Sequence, residues 1–285
     1  MTIRAALLKG SGLLGKTGPD TPFLDAALLL AHVLEFSRTR LLASMPEELP
    51  IEKFEKFMAL VKRRASGEAV AYIIREKEFF GHSFYVDYRV LVPRPETELL
   101  VEHAIEVLEN AGKSGTKAAI CHDAFCGSGC VGLSIARKCP GIKMGLSDKS
   151  LDALEVCKIN AKKLFGQDHN IDISFGNILA AAPSGLALVT ANPPYVEASF
   201  VDKMEKAGSL EPRLALDGGA AGLDLYPSIA KEAFGKLNHN GSLLLEIGDK
   251  QSSFVKAILE EAGFIKLQLV KDMAGLDRLV MGTKP

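Results

Sequence analysis

The chain has 285 residues, of which 47% are hydrophobic, and its formal net charge at pH 7 is −1. This length allows two domains with full hydrophobic cores, and the balanced charge argues against direct nucleic-acid binding. The N-terminus has no signal-like segment and no apolar run has the length of a membrane helix, so we expect a cytoplasmic protein without membrane contact.

The N-terminal part of the chain, up to about Tyr72, has a helical pattern. Residues 25–34 are rich in good helix formers. Further apolar residues recur at helical spacing at Phe54, Phe57, Met58 and Val61. Stripes of this kind are typical of a small helical bundle, and they predict a helical domain over residues 1–75.

Residues 78–92 change the hydrophobic period. Aromatic and β-branched residues surround a central Gly-His-Ser, which predicts a β-hairpin. We expect residues 76–93 to act as a linker between two domains. The following segment, residues 93–98, opens an amphipathic helix, because Pro95 suits the first turn and acidic residues there suit the helix dipole.

From Ala118 onward, expected strands and helices alternate. The expected strands are residues 118–123, 142–146, 171–175, 186–191, 242–247, 265–270 and 276–281. The expected helices are residues 131–138, 150–164 with Ser150 as the cap, 229–237, and one more before the closing strands. Such alternation predicts a mostly parallel sheet with helices on both faces, in which ligands bind beyond the carboxyl ends of the strands.

A glycine-rich loop lies between the first expected strand of this region and its helix. Residues 123–130 read Asp-Ala-Phe-Cys-Gly-Ser-Gly-Cys, and glycines there let the backbone approach a ligand. Asp148 closes the next strand, near the distance at which an acid binds ribose hydroxyls. With no second glycine motif for a pyrophosphate, a single nucleoside such as S-adenosylmethionine fits better than NAD. A purely structural turn is the alternative.

The five cysteines form no Cys-x-x-Cys pair, and their odd number argues against a closed disulfide framework. We expect them to be reduced and mostly buried. Cys126 and Cys130 could share a helix face. Without matching histidines or a second cysteine pair, however, we expect no metal site.

The most informative segment is Asn-Pro-Pro-Tyr at residues 192–195, which follows the apolar run 186–191. Two successive prolines cannot continue a strand ladder, so the chain turns and leaves the Pro193 carbonyl free to accept. Oδ1 of Asn192 is a second acceptor, and the Tyr195 ring offers a flat face. The prolines alone would indicate a strand-terminating turn. Together with the glycine loop, the tetrapeptide predicts a pocket for a planar group that carries an NH2.

A nucleoside pocket and an NH2 pocket at one sheet edge together predict methyl transfer to nitrogen. An amide nitrogen is a poor nucleophile because its lone pair is delocalised. Two acceptors that hold its hydrogens would increase the electron density on nitrogen, and in-line alignment contributes up to ~7–11 kcal/mol in model systems. No general base is needed before attack, because the nitrogen becomes strongly acidic only after methylation.

With these motifs the chain resembles the release-factor glutamine methyltransferases, the PrmC/HemK family. The resemblance covers nearly the whole chain. Besides residues 93–98 and 192–195, it depends on Phe79 and Gly81 and on residues 25–26, 63–73, 211–219, 222–226, 246–251 and 271–278. Asn-Pro-Pro-Tyr alone is shared with nucleic-acid amino methyltransferases, whereas the other motifs are not.

The resemblance implies a Rossmann-like class I methyltransferase sheet over residues 94–285 and an N-terminal helical bundle that docks the substrate protein. It implies methylation of the glutamine side-chain nitrogen in the Gly-Gly-Gln motif of class 1 peptide chain release factors. The implied glutamine-binding residues are Asn192, Pro193, Pro194 and Tyr195. The implied S-adenosylmethionine-binding residues are Asp123, Phe125, Cys126, Gly127, Ser128, Gly129, Asp148, Asn177, Ile178 and Asn192.

Several positions depart from the family pattern: Phe125 and Asn177, and also Ala69, Arg75, Ala221 and His239. Phe125 stands where the first glycine of the loop is usual, and a bulky residue restricts positive φ there. Asn177 stands where an aspartate is common. Two alternatives therefore stay open: an adenine amino methyltransferase acting on DNA or RNA, and a cofactor-binding module that has lost turnover.

Overall fold

The computed structural model describes residues 1–17, 19–113, 119–167 and 171–285. The chain divides into two compact units. The first contains Met1–Glu76 and Glu205–Leu210, and the second contains Lys77–Met204 and Glu211–Pro285. Ala118, the first residue of one expected strand, lies outside the described residues. None of the described helices combines the length and the apolar character that crossing a membrane requires.

The first unit is helical, as the sequence predicted. Its helices are α1 (Ile3–Leu14), α2 (Pro22–Leu34), α3 (Arg38–Ala43), α4 (Ile51–Ala65) and α5 (Val70–Ile74). The Thr2 hydroxyl caps α1 by accepting from the Ala5 N–H at 3.2 Å. Pro22 occupies the first turn of α2, where its missing N–H leaves no bond unmade. The bundle core includes the fully buried Leu7, Leu29, Leu30, Phe57 and Val61.

A short antiparallel hairpin begins the second unit, formed by β1 (Lys77–Phe79) and β2 (His82–Phe84). Phe80 and Gly81 both have positive φ, 50° and 72°, as a two-residue turn of this type requires. The expectation of a hairpin over residues 78–92 was wrong beyond Phe84. The Asn160 side chain binds the backbone of Tyr85: its Oδ1 accepts from the Tyr85 N–H at 2.7 Å, and its Nδ2 donates to the Tyr85 carbonyl at 2.9 Å. These backbone groups are therefore not available to extend the strand pairing.

The remainder of the second unit alternates helices and strands. In chain order these are α6 (Glu98–Lys113), β3 (Ile120–Ala124), α7 (Cys130–Lys138), β4 (Lys143–Asp148), α8 (Leu151–Phe165), β5 (Ile171–Phe175), β6 (Leu186–Ala191), α9 (Ala198–Lys206), α10 (Tyr226–Lys236), β7 (Leu237–Glu246), α11 (Ser252–Glu261), β8 (Ile265–Lys271) and β9 (Asp277–Thr283). Short 3-10 turns precede α6 and α10, at Pro95–Thr97 and Arg213–Ala215. Ser150 caps α8 as predicted, accepting from the Ala153 N–H at 3.1 Å. β7 begins at Leu237, earlier than predicted, and pairs there with Leu186.

The sheet of the second unit has the strand order β5-β4-β3-β6-β7-β9-β8. The five strands from β3 to β7 are parallel, and β9 runs antiparallel to both β7 and β8. Apolar clusters cover both faces. This confirms the predicted α/β fold. Because β3 pairs with β4 on one side and β6 on the other, the order reverses between β3 and β6, which is where ligands bind in such sheets.

Candidate active site

A cleft of about 840 Å³ opens at this reversal point, within the second unit. This volume includes space open to solvent, and the switch point of an α/β sheet is a preferred place for cofactors and small molecules. Residues 89–97 and 212–215 contribute to its wall, and the Arg94 guanidinium pairs with Glu211 beside them at 2.6 Å. The expected site residues that line the cleft are Asp123, Phe125, Cys126, Gly127, Ser128, Asp148, Asn192 and Pro194.

The loop between β3 and α7 contains three residues in the left-handed region: Phe125, Gly127 and Gly129, with φ of 58°, 52° and 80°. A Cβ on Gly127 would meet no atom within 4 Å, so this backbone borders open space. A Cβ on Gly129 would lie 2.7 Å from Sγ of Cys157, so this glycine permits close packing on α8.

Phe125 adopts positive φ although its side chain disfavours it. The conformation costs about 1–2 kcal/mol in a residue other than glycine. The partly buried phenyl ring packs against the apolar cluster on one face of the sheet. The restriction expected at this position is therefore overcome by packing, and the loop keeps the shape that a glycine would give it.

Asp148, at the end of β4, faces the same loop. Its Oδ2 accepts from the Gly127 N–H at 3.0 Å, and its Oδ1 accepts from the Ser150 N–H at 2.9 Å. Burial raises the pKa of this carboxyl, and the two backbone N–H groups oppose the rise. Each oxygen accepts one bond and has capacity for another, so Asp148 can accept from the two hydroxyls of a ribose.

Asp123 is buried beneath the loop, and both of its oxygens are occupied. Oδ1 accepts from the Thr190 hydroxyl at 2.8 Å, and Oδ2 accepts from the Gly132 N–H at 3.0 Å. Burial raises the pKa of Asp123 to about 7, against these hydrogen bonds. The carboxyl thus ties β3 to β6 and to the first turn of α7, and it places a proton-holding group at the wall of the cleft.

Asn160 of α8 is a site-organising residue that the sequence analysis missed. It is fully buried, and its Nδ2 donates to the carbonyls of Ser128 and Tyr85, both at 2.9 Å. It therefore fastens the loop after β3 to the segment that leaves the hairpin. A buried amide on an otherwise apolar helix face was the signal that could have identified it.

The tetrapeptide 192–195 leaves the end of β6 on a fixed backbone. Nε2 of Gln251 donates to the Tyr195 carbonyl at 3.0 Å. Gly222 is required behind it, because a Cβ there would lie 2.1 Å from the same oxygen. The Pro193 carbonyl accepts no hydrogen bond from the residues that the structure describes. Its role as an acceptor for a ligand stays a prediction.

Two side chains of the tetrapeptide connect to a buried carboxyl. Nδ2 of Asn192 donates to Oγ1 of Thr97 at 3.4 Å, and the Tyr195 hydroxyl donates to Oε1 of Glu246 at 3.1 Å. Burial raises the pKa of Glu246 to about 7, while the hydroxyls of Thr97 and Tyr195 act to lower it. Burial and the neighbouring Glu246 raise the pKa of Tyr195. Thr97 and Glu246 were noticed in the sequence only as parts of longer motifs.

The remaining expected site residues do not border the cleft. Asn177 is exposed, and Ile178 is buried with φ of 53° and a carbonyl that accepts from Oγ of Ser147 at 3.3 Å. Gly129, Pro193 and Tyr195 also stand outside the residues that form its wall. The cofactor-binding roles of Asn177 and Ile178 stay predictions.

Residues 5–74 match the PrmC N-terminal domain, and residues 97–207 match the methyltransferase small domain. A protein of Moorella thermoacetica, named release factor glutamine methyltransferase, is 37% identical over 98% of this chain and 97% of its own length. One of the same name from Clostridium acetobutylicum is 33% identical over 100% of this chain and 99% of its own. A methyltransferase structure from Pyrococcus furiosus, 16% identical, has a TM-score of 0.54 over 78% of this chain and 98% of that one, a likeness of fold.

Proposed function

The chain belongs to the release factor glutamine methyltransferase family, and we propose that it methylates the side-chain amide nitrogen of a release-factor glutamine, using S-adenosylmethionine. The observation that carries the proposal lies at the end of β6, where Asn192 lines the cleft and the next residue, Pro193, has a carbonyl that accepts no hydrogen bond from the described residues. We place the target glutamine in the Gly-Gly-Gln motif of class 1 release factors, and the reaction in the cytoplasm.

The residues around the cleft fit the proposed cofactor. S-adenosylmethionine, when bound, supplies a methyl group on a positively charged sulfur. Gly127 leaves its backbone open toward the cleft, and the Asp148 oxygens can accept from ribose hydroxyls. The carboxyl oxygens of Asp123 lie at the wall of the cleft and have capacity to accept from an ammonium group. Asn177 and Ile178 follow β5, and we assign them to the adenine.

The tetrapeptide would hold the substrate amide through both of its hydrogens. Asn192 Oδ1 and the Pro193 carbonyl accept one hydrogen each, and the Tyr195 ring packs against the flat face of the amide. These acceptors increase the electron density on nitrogen and fix its direction of approach. The nitrogen held by these acceptors would take the methyl group of bound S-adenosylmethionine, which leaves as the neutral thioether, and the surplus proton on nitrogen would pass to water.

We propose three roles along the chain. Residues 1–75 dock the release factor, residues 76–93 link, and residues 94–285 carry out the transfer. The partner is the release factor itself, without direct contact to nucleic acid or membrane, in keeping with the net charge of −1.

The test is an incubation with labelled S-adenosylmethionine and four separate acceptors. These are a class 1 release factor, its Gly-Gly-Gln→Gly-Gly-Ala variant, duplex DNA and single-stranded nucleic acid. We expect label only in the intact release factor. Label in nucleic acid would replace the proposal with an adenine amino methyltransferase, and cofactor binding without any transfer would indicate a module that has lost turnover.

A further inference from the structure

One contact in the site bears on the direction in which the Asn192 amide faces. The oxygen and nitrogen of an asparagine amide have the same shape, so only their partners distinguish the two orientations. Holding a substrate NH2 requires Oδ1 to face the substrate. In the structure Nδ2 faces Oγ1 of Thr97 at 3.4 Å, which leaves Oδ1 on the opposite side.

The Thr97 hydroxyl could hold Asn192 in either orientation, because a hydroxyl both donates and accepts. It accepts from Nδ2 only when its own proton is directed elsewhere. The carboxyl of Glu246 lies beside this hydroxyl, although the two are not in good hydrogen-bond geometry, and an ionised carboxyl can only accept. Thr97 and Glu246 are each 2% exposed, so water does not compete for the hydroxyl of Thr97 or the carboxyl of Glu246.

Glu246 has an oxygen available for this purpose. Its Oε1 accepts from the Tyr195 hydroxyl, whereas its Oε2 is buried and has no partner in good hydrogen-bond geometry among the described residues. The backbone of Glu246 is itself fixed, since its carbonyl accepts from the Tyr226 hydroxyl at 3.1 Å. The Glu246 carboxyl therefore accepts from Tyr195, at one end of the tetrapeptide, through Oε1. Its Oε2 is available to accept from the Thr97 hydroxyl, which contacts Asn192 at the other end.

We propose that Thr97 and Glu246 are positioning residues that form a directed hydrogen-bond chain, from Asn192 Nδ2 to Thr97 and from Thr97 to Glu246, which turns Asn192 Oδ1 toward the substrate. The identity of the substrate amide rests on the proposed function, but the direction of the chain does not. Removing the charge of Glu246 or the hydroxyl of Thr97 removes the preference for this orientation. The flipped amide would point its NH2 at the NH2 of the substrate.

Protonation of Glu246 has the same consequence, because a protonated carboxyl can donate to Thr97 and release the Thr97 proton toward Asn192. The polar and titratable groups near Glu246 are those of Thr97, Tyr195, Tyr226, Cys130, Glu96 and Arg278. Glu96 raises the pKa of Glu246 and Arg278 lowers it. Turnover should therefore fall on the acid side of about pH 7.

The direct test is NMR of the full chain labelled with 15N-asparagine. The Asn192 side-chain NH2 signal is identified by its loss in Asn192→Ala. We expect the chemical shift of this signal to titrate with a midpoint near pH 7, and the titration to be absent in Glu246→Gln. The signal should move in Thr97→Val and return to its wild-type position in Thr97→Ser. Thr190→Val is the matched control, because it removes another buried hydroxyl paired with a carboxyl, that of Asp123, and should leave this signal in place.

Turnover on the release factor gives an independent readout. Thr97→Val should lower kcat about 10–100-fold with the cofactor Kd within about twofold, and Thr97→Ser should restore most of the rate. An Asn192 signal unchanged in Thr97→Val and Glu246→Gln would overturn the inference, as would an equal loss of cofactor affinity and turnover. If the wild-type protein did not methylate the release factor, the proposed function would be wrong. The NMR result would still decide the direction of the hydrogen-bond chain.

Discussion

Two buried carboxyls on either side of β6, Asp123 near the end of β3 and Glu246 at the end of β7, differ in how the protein uses their oxygens. Burial raises the pKa of each to about 7, and each has a threonine hydroxyl beside it. Asp123 has both oxygens in good hydrogen bonds, to Thr190 and Gly132. Glu246 has one such bond, to Tyr195, and a second oxygen without one among the described residues.

This difference separates the two halves of the site. In the half around β3 and β4, Asp123, Asp148 and Asn160 hold the loop through hydrogen bonds within the protein, so its shape is fixed before any ligand arrives. In the half around the tetrapeptide, the direction of the side-chain hydrogen bonds depends on where the protons of Thr97 and Glu246 lie. Substitutions in the first half should therefore change cofactor affinity, and substitutions in the second should change turnover.

The largest expected effect is that of Asn192→Ala on turnover. Removing one of two acceptors for the substrate amide should lower kcat by about 10²–10³-fold, the scale seen when a single positioned hydrogen bond is lost from an active site. The cofactor Kd should change less than about threefold. Single-turnover methylation and calorimetric titration measure the two quantities.

Asn238→Ala is the control for this change, because Asn238 is an exposed asparagine that bonds only the distant Gly185 carbonyl among the contacts described. It should leave kcat within about twofold of the wild type. If Asn192→Ala lowered cofactor affinity as much as it lowered kcat, the tetrapeptide would also contribute to cofactor binding, and the two halves would not have separate roles.

Asp148→Ala should weaken cofactor binding by about 10–100-fold. Hydrogen bonds to a charged group contribute about 1.5–3 kcal/mol, and the Gly127 and Ser150 N–H groups would also lose their acceptor. Calorimetry with S-adenosylmethionine measures this. Asp152→Ala removes an exposed carboxyl from the first turn of α8 and should leave Kd nearly unchanged; equal effects in both variants would mean that Asp148 does not contact the cofactor.

Stability should fall as the pH rises from about 4 to about 7. Asp123 and Glu246 keep their protons up to about pH 7 when folded, whereas the unfolded chain releases them near pH 4. The folded state binds more protons in this window, so each group lowers the free energy of unfolding by about 1.4 kcal/mol per pH unit. His122 acts oppositely below about pH 6.5, because burial lowers its folded pKa to about 4.

Asp123→Asn isolates one of these contributions. It keeps the side-chain size and removes the titration, so the variant should lose about 2 kcal/mol less stability than the wild type between pH 5 and pH 7. Urea unfolding at the two pH values gives the comparison. Parallel losses in both proteins would show that Asp123 is ionised throughout and that the two carboxyls are not alike.

Phe125→Gly should have the smallest effect. Glycine relieves a positive φ of 58° that costs about 1–2 kcal/mol, at the expense of a partly buried ring, so cofactor binding should be equal or up to about fivefold tighter. Phe80→Gly relieves a similar φ of 50° at the hairpin turn and should leave Kd unchanged. Clearly weaker binding in Phe125→Gly would show that the ring supports the cofactor.

Much of the fold was predictable because its signals are local. The alternation of apolar runs and caps gave the parallel sheet, and Ser150 was recognised as a cap from its position before a helical pattern. The glycine loop and the tetrapeptide were recognised because proline and glycine restrict or free the backbone in the residues themselves. The hairpin was predicted too long, since its end depends on Asn160, a residue 75 positions away from Tyr85.

The sequence by itself determined the order of the elements along the chain and the chemistry of the groups that follow the strands, because propensity, periodicity and proline geometry act over a few residues. Only the tertiary structure decided that Asn160 fastens the loop, and that Thr97, Asn192 and Glu246 meet. Those contacts join distant segments whose register is set by packing. A side chain's partners, and hence its proton positions and pKa, follow from that packing rather than from its neighbours in the chain.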